Sequence, residues 1–261
     1  MGRGLRPGAC VLTLAVTLIA LLLAGCSTSS SATPSSASAT PSSASPSSAS
    51  ASPGVSIPGT HKATAVYQIS VPVSTVIVTS HAGSVAVTGG SGPGISVTEQ
   101  VTYSRTRPVT SRAVSGQTLT VGYTCPTEIV CTVSYVLRVP RTVAVQATAG
   151  AGSIRLAGLA GSVTAKADVG LISATGLTGA SVSLITSVGA INAAFAAAPA
   201  TVQATARVGA ITLRVPGTAS YQVSADAHIG KAAVSVPQSA SSAHAITATT
   251  DVGAIIIAPL P

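Results

Sequence analysis

Large side chains are nearly missing from this 261-residue sequence: it has no tryptophan, one phenylalanine and five tyrosines, and only 7% of its residues are charged. So little aromatic surface argues against two classes of function. A nucleic-acid binder interleaves its cations with stacking platforms, and a small-molecule binder builds rigid walls around convergent polar groups. The apolar mass that is present comes mostly from Ala and Val, amid abundant Thr, Ser and Gly. Such small side chains fill a rounded core poorly, so the composition predicts an all-β protein thin enough for two sheet faces to lie close together.

The first residues are of another kind. Arg3 and Arg6 precede an apolar run from Val11 to Leu23, too short for a comfortable membrane span, which makes residues 1–25 an export signal. Leu23-Ala24-Gly25-Cys26 then resembles the lipobox of bacterial lipoproteins. That resemblance implies cleavage before Cys26 and lipidation of its thiol with a diacylglyceryl group, acyl chains of the palmitate kind. At about 0.8 kcal/mol per buried CH₂, two chains anchor stably where one would not. The expected location is the extracytoplasmic face of the cell membrane.

Residues 26–60 form the lipidated cysteine and a tether. From Ser27 to Pro53 the chain uses only Ser, Thr, Ala and Pro, which cannot build a core. A coil of that length averages about 30 Å end to end and polyproline II reaches about 80 Å, enough to lift the following domain, residues 61–261, off the membrane. Its many hydroxyls could carry O-linked sugars, though a bare tether explains the composition as well.

The formal charge of +8 falls to +6 once Arg3 and Arg6 leave, with 11 basic and 5 acidic residues remaining. Arg105, Arg107 and Arg112 cluster and could touch anionic wall polymer or lipid, but the more common meaning of such a cluster is a solvated loop. Cys10 leaves with the signal and Cys26 is acylated, so Cys125 and Cys131 remain to pair. In an oxidising exterior they are expected to form a disulfide around Pro126-Thr127-Glu128-Ile129-Val130. A metal or redox site is the alternative, disfavoured by the five-residue gap and the absence of a nearby His.

The strongest internal signal is a repeated Val-Gly-x-Ile element whose glycines are Gly152, Gly170, Gly189, Gly209, Gly230 and Gly253, spaced by 18, 19, 20, 21 and 23 residues. Before each glycine, apolar or small residues fall on every second position, as in Val202, Ala204, Ala206 and Val208. After it they resume one step out of phase, as in Ile211, Leu213 and Val215. A strand flips its facing at every residue, so this slip calls for a bend at the glycine that returns side chains to the inside. Aligning the repeats gives inward columns: Val145, Val163, Val182, Val202, Val223 and Ile246 in one, and Ala147, Ala165, Leu184, Ala204, Ala225 and Ala248 in the next. Turns stacked in chain order at about 4.8 Å make a β-solenoid of roughly 20-residue turns. An ordinary sandwich would need neither one spacing nor one slip repeated throughout.

Residues 62–140 are strand-rich but less regular, with candidate strands at 64–71, 74–79, 83–88, 95–103, 117–124 and 131–139. His81-Ala82-Gly83-Ser84-Val85 looks like an early copy of the motif, and Gly89 to Gly94 is a turn without the spacing of a phosphate loop. An Ile69 to Pro72 strand, Gly-Ser-Val, a Cys-bracketed loop, Leu137-Arg138-Val139-Pro140 and serial Gly-x-Ile units follow in order. In that order the chain resembles the bacterial putative-adhesin β-solenoid family over residues 62–258. The resemblance implies an envelope domain with no catalytic residues to carry over. Ile229-Gly230-Lys231-Ala232 departs by placing Ala where Ile is usual, which weakens packing there.

The side chains suggest no chemistry. An outward column of Asp168, Ser187, Arg207, His228 and Asp251 invites a triad, but Ser187 and His228 are expected two turns apart, far beyond the 2.6–3.2 Å a nucleophile and its base need. Asp226, His228 and Asp251 on a flat face are plain solvated charges rather than a metal site. His61, His81 and His244 are expected in turns without partners. The expectation is therefore a non-catalytic protein with no cofactor, no metal, no nucleic acid and no small-molecule substrate. It would be an adhesin-like or structural interaction module, with an envelope protein or wall polymer as its possible partner. The alternative is a ligand-binding or envelope-stress-sensing lipoprotein, for which Ala-filled columns leave little room. The anchor is directly testable: a Cys26→Ala chain should take up no label from a clickable palmitate fed to growing cells, and labelling equal to that of the unaltered chain would refute lipidation at this position.

Overall fold

The computed structural model describes residues 59–126 and 130–260; the signal, Cys26, the tether to residue 58, and Thr127, Glu128 and Ile129 lie outside the described residues. The described chain is all-β. Its strands are β1 (His61–Ile69), β2 (Thr75–Ala82), β3 (Val85–Gly90), β4 (Ile95–Tyr103), β5 (Val109–Ser115), β6 (Thr118–Thr124), β7 (Cys131–Pro140), β8 (Ala144–Ala151) and β9 (Ile154–Ala157). They continue as β10 (Val163–Val169), β11 (Ile172–Leu177), β12 (Ser181–Val188), β13 (Ile191–Phe195), β14 (Thr201–Val208), β15 (Ile211–Val215), β16 (Gln222–Val234) and β17 (Ala245–Pro259).

From β8 to β15 each repeat supplies two strands that meet at the corner glycine. The strands before the glycine pair in parallel as a first ladder, with Val145 beside Val163, then Val182, then Val202. Those after it pair as a second ladder, with Ile154 beside Ile172, Ile191 and Ile211. Inward columns of the first ladder are mostly Val and Ala, with Leu184 and Thr186 on β12, and those of the second carry Ile154, Leu156, Leu177, Phe195 and Leu213, these five at most 1% exposed. Small columns thus face large ones across a single thin core, which suits close packing without aromatic bulk.

Two features correct the expectation of turns stacked in chain order. At one end, β17 runs through both ladders and lies between β14 and β16, with Ile246 beside Val202 on one side and Val223 on the other. The last two repeats have exchanged places. Hydrophobic content explains the order: β17 brings Ile246, Ile255 and Ile257, each at most 1% exposed, whereas the outermost β16 has only Val223, Ala232 and Val234 at those columns. Burying the larger side chains and leaving the smaller at the edge removes more apolar area from water. Ala232 therefore needs no Ile, because among the described residues no strand pairs beyond it, and Asp226, His228 and Lys231 guard that edge.

The other end mirrors this. The early motif copy forms β2 and β3, inserted between β6 and β7 on one side and β8 and β9 on the other. Strand β4 then runs antiparallel to β7, β1 antiparallel to β4, and β5 antiparallel to β6. Strand β5 has almost no buried face, and that is why alternation in the sequence passed it over.

The corners have one geometry. Gly152, Gly170, Gly189, Gly209, Gly230 and Gly253 have φ between +143° and +152°, where L side chains are disfavoured. A Cβ on Gly209 would also collide with the carbonyl oxygen of Gly189, its neighbour one turn away. Thr186 and Thr250 donate to the carbonyls of Gly170 and Gly209, at 3.4 and 3.1 Å. One residue is corrected here. The pairing register holds through Arg207, but the inward alternation breaks between Ala206 and Val208, so Val208 is 45% exposed instead of turned inward. Gly209→Val should lower stability by on the order of 3–5 kcal/mol and the melting temperature by roughly 10 °C, with the half-exposed Thr205→Val nearly neutral in the same calorimetric comparison. Equal losses would mean the corner contact does not hold the turns together.

Candidate functional site

The residues singled out from the sequence fall in three places. Cys125 and Cys131 form a disulfide joining the end of β6 to the start of β7, with Cα atoms 6.1 Å apart. The corner glycines line up along the edge between the ladders. Beside them the outward column runs Asp168, Ser187, Arg207, Asp251, His228, because β17 precedes β16 in the stack. Ser187 and His228 are hence three turns apart and not two, about 14 Å at the spacing of strands. His228 Nδ1 lies 3.9 Å from Asp226 Oδ2, and both side chains are 66% exposed. Among the described residues no group of three or more His, Cys, Asp or Glu is placed to hold a metal ion.

The histidines are not without partners. His61 stacks on Tyr103 with ring centroids 5.3 Å apart, and His81 meets the edge of Tyr123 at 5.6 Å. His244 Nδ1 is 2.8 Å from the carbonyl oxygen of Pro199. Each takes a structural contact that its sequence neighbours gave no hint of, since the partner lies on another turn.

Of the arginine cluster, Arg105 and Arg107 are exposed in the loop between β4 and β5, and only Arg112 departs from a solvated loop. Arg112 lies on β5, and its Nη1 donates to Glu99 Oε1 at 3.1 Å. Its guanidinium carbon sits 3.3 Å above the Tyr67 ring centroid. Glu99 occupies an inward position of β4, in phase with Ile95, Val97 and Val101, and its side chain is fully buried. Alternation alone could have found it: a lone acid among inward apolar residues demands a cation. Tyr135 on β7 stands directly opposite Glu99. The Tyr135 hydroxyl and Glu99 Oε2 are buried without a hydrogen-bond partner among the described residues. Burial, followed by the nearby Glu99 charge, pushes the Tyr135 phenol well above its usual range. This constellation closes the end of the core with a clamp. Glu99, fully enclosed and held by Arg112, has no access to a substrate.

What the chain exposes is its edges and faces. Val169, Val188, Val208, Val252 and Ile229, between 42% and 67% exposed, make an aliphatic ridge along the corner. The outward faces of both ladders are rich in Ser and Thr.

No family model matches the chain, and no curated protein matches it significantly. Among solved structures it is similar to a putative cell adhesion protein from Clostridium sporogenes, at 11% identity and TM-score 0.46, covering 77% of this chain and 100% of that one. It is similar to a putative adhesin from Bacteroides fragilis at 13% identity and TM-score 0.45, covering 77% and 97%. A putative lipid binding protein from Parabacteroides distasonis gives 9% identity and TM-score 0.24 over 77% and 97%.

The tyrosines give a paired prediction. The Tyr123 hydroxyl accepts from the Ala82 N–H at 2.7 Å and donates to the Ala82 carbonyl at 2.8 Å, so Tyr123→Phe should cost about 1–3 kcal/mol in urea unfolding. Tyr135→Phe removes a buried hydroxyl that has no partner and should be neutral or stabilising. Because the folded phenol of Tyr135 is raised, the folded state keeps a proton that the unfolded state loses above about pH 10, and stability falls as pH rises past that point. Tyr135→Phe should flatten that fall, and an unchanged alkaline slope would contradict the assignment.

Proposed function

We propose that the protein is a cell-envelope lipoprotein that displays a non-catalytic β-solenoid as an adhesin-like interaction module, anchored through Cys26 and held off the membrane by the tether. One observation carries the reading: the two ladders turn their apolar residues inward onto one core, so each added turn contributes hydroxyl-rich outer surface. Surface of that kind suits broad contact with an extended partner better than enclosure of a small molecule. The buried Glu99 is paired with the partly exposed Arg112 at one end, and the exposed Asp226 and His228 face solvent. An envelope protein or wall polymer is the partner class that this display serves.

The test uses intact cells carrying the chain with a C-terminal epitope. Protease added outside should remove the epitope without lysis, and the unlipidated mature chain should be retained on isolated cell walls in a pelleting assay but not after heat unfolding. An epitope protected until lysis would refute display, and equal retention of folded and unfolded chain would refute recognition by the folded surface.

A further inference from the structure

The two outward faces differ in charge, although the sequence scatters its few charges evenly. On the first-ladder face, Lys166 and Arg207 are set against Asp168, Asp226 and Asp251. The second-ladder face carries Lys62, Arg138, Arg155 and Arg214, and among the described residues it has no acidic side chain. The remaining described carboxylate, Glu99, is buried against Arg112. Arg138, Arg155 and Arg214 are exposed and lie in none of the ion pairs of the described residues. Arg155 donates to Ser153 Oγ at 2.6 Å, which orients it without neutralising it.

Two shallow troughs open on this same face, and each holds one of those cations. The first, about 370 Å³, is lined by Gln68, Ser91, Ser96 and Arg138 beside the glycines of the β3–β4 turn. The second, about 250 Å³, is lined by Ser173, Thr175, Asn192, Thr212 and Arg214. From β7 to β15 the stack runs through β3, β9, β11 and β13, so the troughs are five strand spacings apart, roughly 24 Å, with Arg155 on β9 between them. A guanidinium flanked by hydroxyls and amides is the donor set that recognises phosphate oxygens. No aromatic ring stands in either trough, so bases or sugar rings have nothing to stack on.

We propose that the second-ladder face docks a linear, phosphate-bearing polyanion, laid across the strands with a phosphate at Arg138, one at Arg155 and one at Arg214. This names the partner chemistry of the interaction module proposed above and rests on that reading. The spacing of the cations matters to the assignment: a linear polymer can follow a row of them across several turns, while a single small anion would engage only one.

The experiment is calorimetric titration of the full mature chain with linear inorganic polyphosphate. Binding should weaken roughly 20- to 40-fold between about 50 and 200 mM salt, as expected when about three cations release counterions. Arg138→Gln/Arg155→Gln/Arg214→Gln should weaken binding at least tenfold, with circular dichroism unchanged because all three side chains point outward. If that variant does not fold, Arg214→Gln alone should give a several-fold loss. Lys166→Gln/Arg207→Gln, on the other face, should bind as the unaltered chain does. Equal binding by the second-face variants, equal loss on the first face, or binding only to phosphatidylglycerol vesicles and not to polyphosphate would overturn the proposal. If the triple variant still pellets with cell walls, the interaction module stands and this face is not its polyanion site.

Discussion

The fold depends on one close approach. At every corner the α-carbon of one glycine lies against the carbonyl of the glycine in the adjacent turn, leaving no room for a side chain. The sequence of contacts runs from Gly83 to Gly152, Gly170, Gly189, Gly209, Gly253 and Gly230. Because only glycine fits, and fits only with its neighbour in register, the corner fixes the alignment of both ladders at once. A slip of one residue would turn a whole inward column to solvent. Contacts are therefore made turn to turn, and stability accumulates along the stack rather than around a centre.

That arrangement explains how a chain with one phenylalanine folds at all. Two faces brought close need no bulky side chain between them; Ala on the first ladder opposite Ile or Leu on the second is enough. The difficulty moves to the ends, where a stack exposes the column that the next turn would cover. The two ends solve it differently. At one, antiparallel strands and the Glu99 to Arg112 clamp over Tyr67 close the core with polar groups. At the other, the apolar C-terminal strand is drawn inside and an alanine-rich turn with charged flanks is left at the edge.

The all-β class, the inward columns and the turn period were legible from residue spacing, because a repeated two-residue alternation broken at a glycine has few physical meanings. The order of the last two turns was not. Spacing says which residues are equivalent but not which copy lies outside, and only the contrast between Ile255 and Ala232 carries that information. The position of the slip was ambiguous by one residue, which is why Val208 was expected inside. Glu99 was available to the same alternation argument, whereas Arg112 was not: β5 has no buried face to create a pattern, and its partners are on other strands. The charge difference between faces was hidden for the same reason, since it exists only after the ladders separate alternate strands.

The proposed display of outer faces stands on that turn order, because the order determines which side chains are neighbours on each face. Cysteine pairs test it directly. Thr205 lies opposite Thr249, and Thr249 opposite Asp226, so Thr205 and Asp226 are two strand spacings apart, about 10 Å. A disulfide needs Cα atoms within about 4.4–6.8 Å. Under mild oxidation, Thr205→Cys/Thr249→Cys should cross-link and Thr205→Cys/Asp226→Cys should not, as read by peptide mapping. Cross-linking of the second pair and not the first would show the turns stacked in chain order and contradict the structure at its central point.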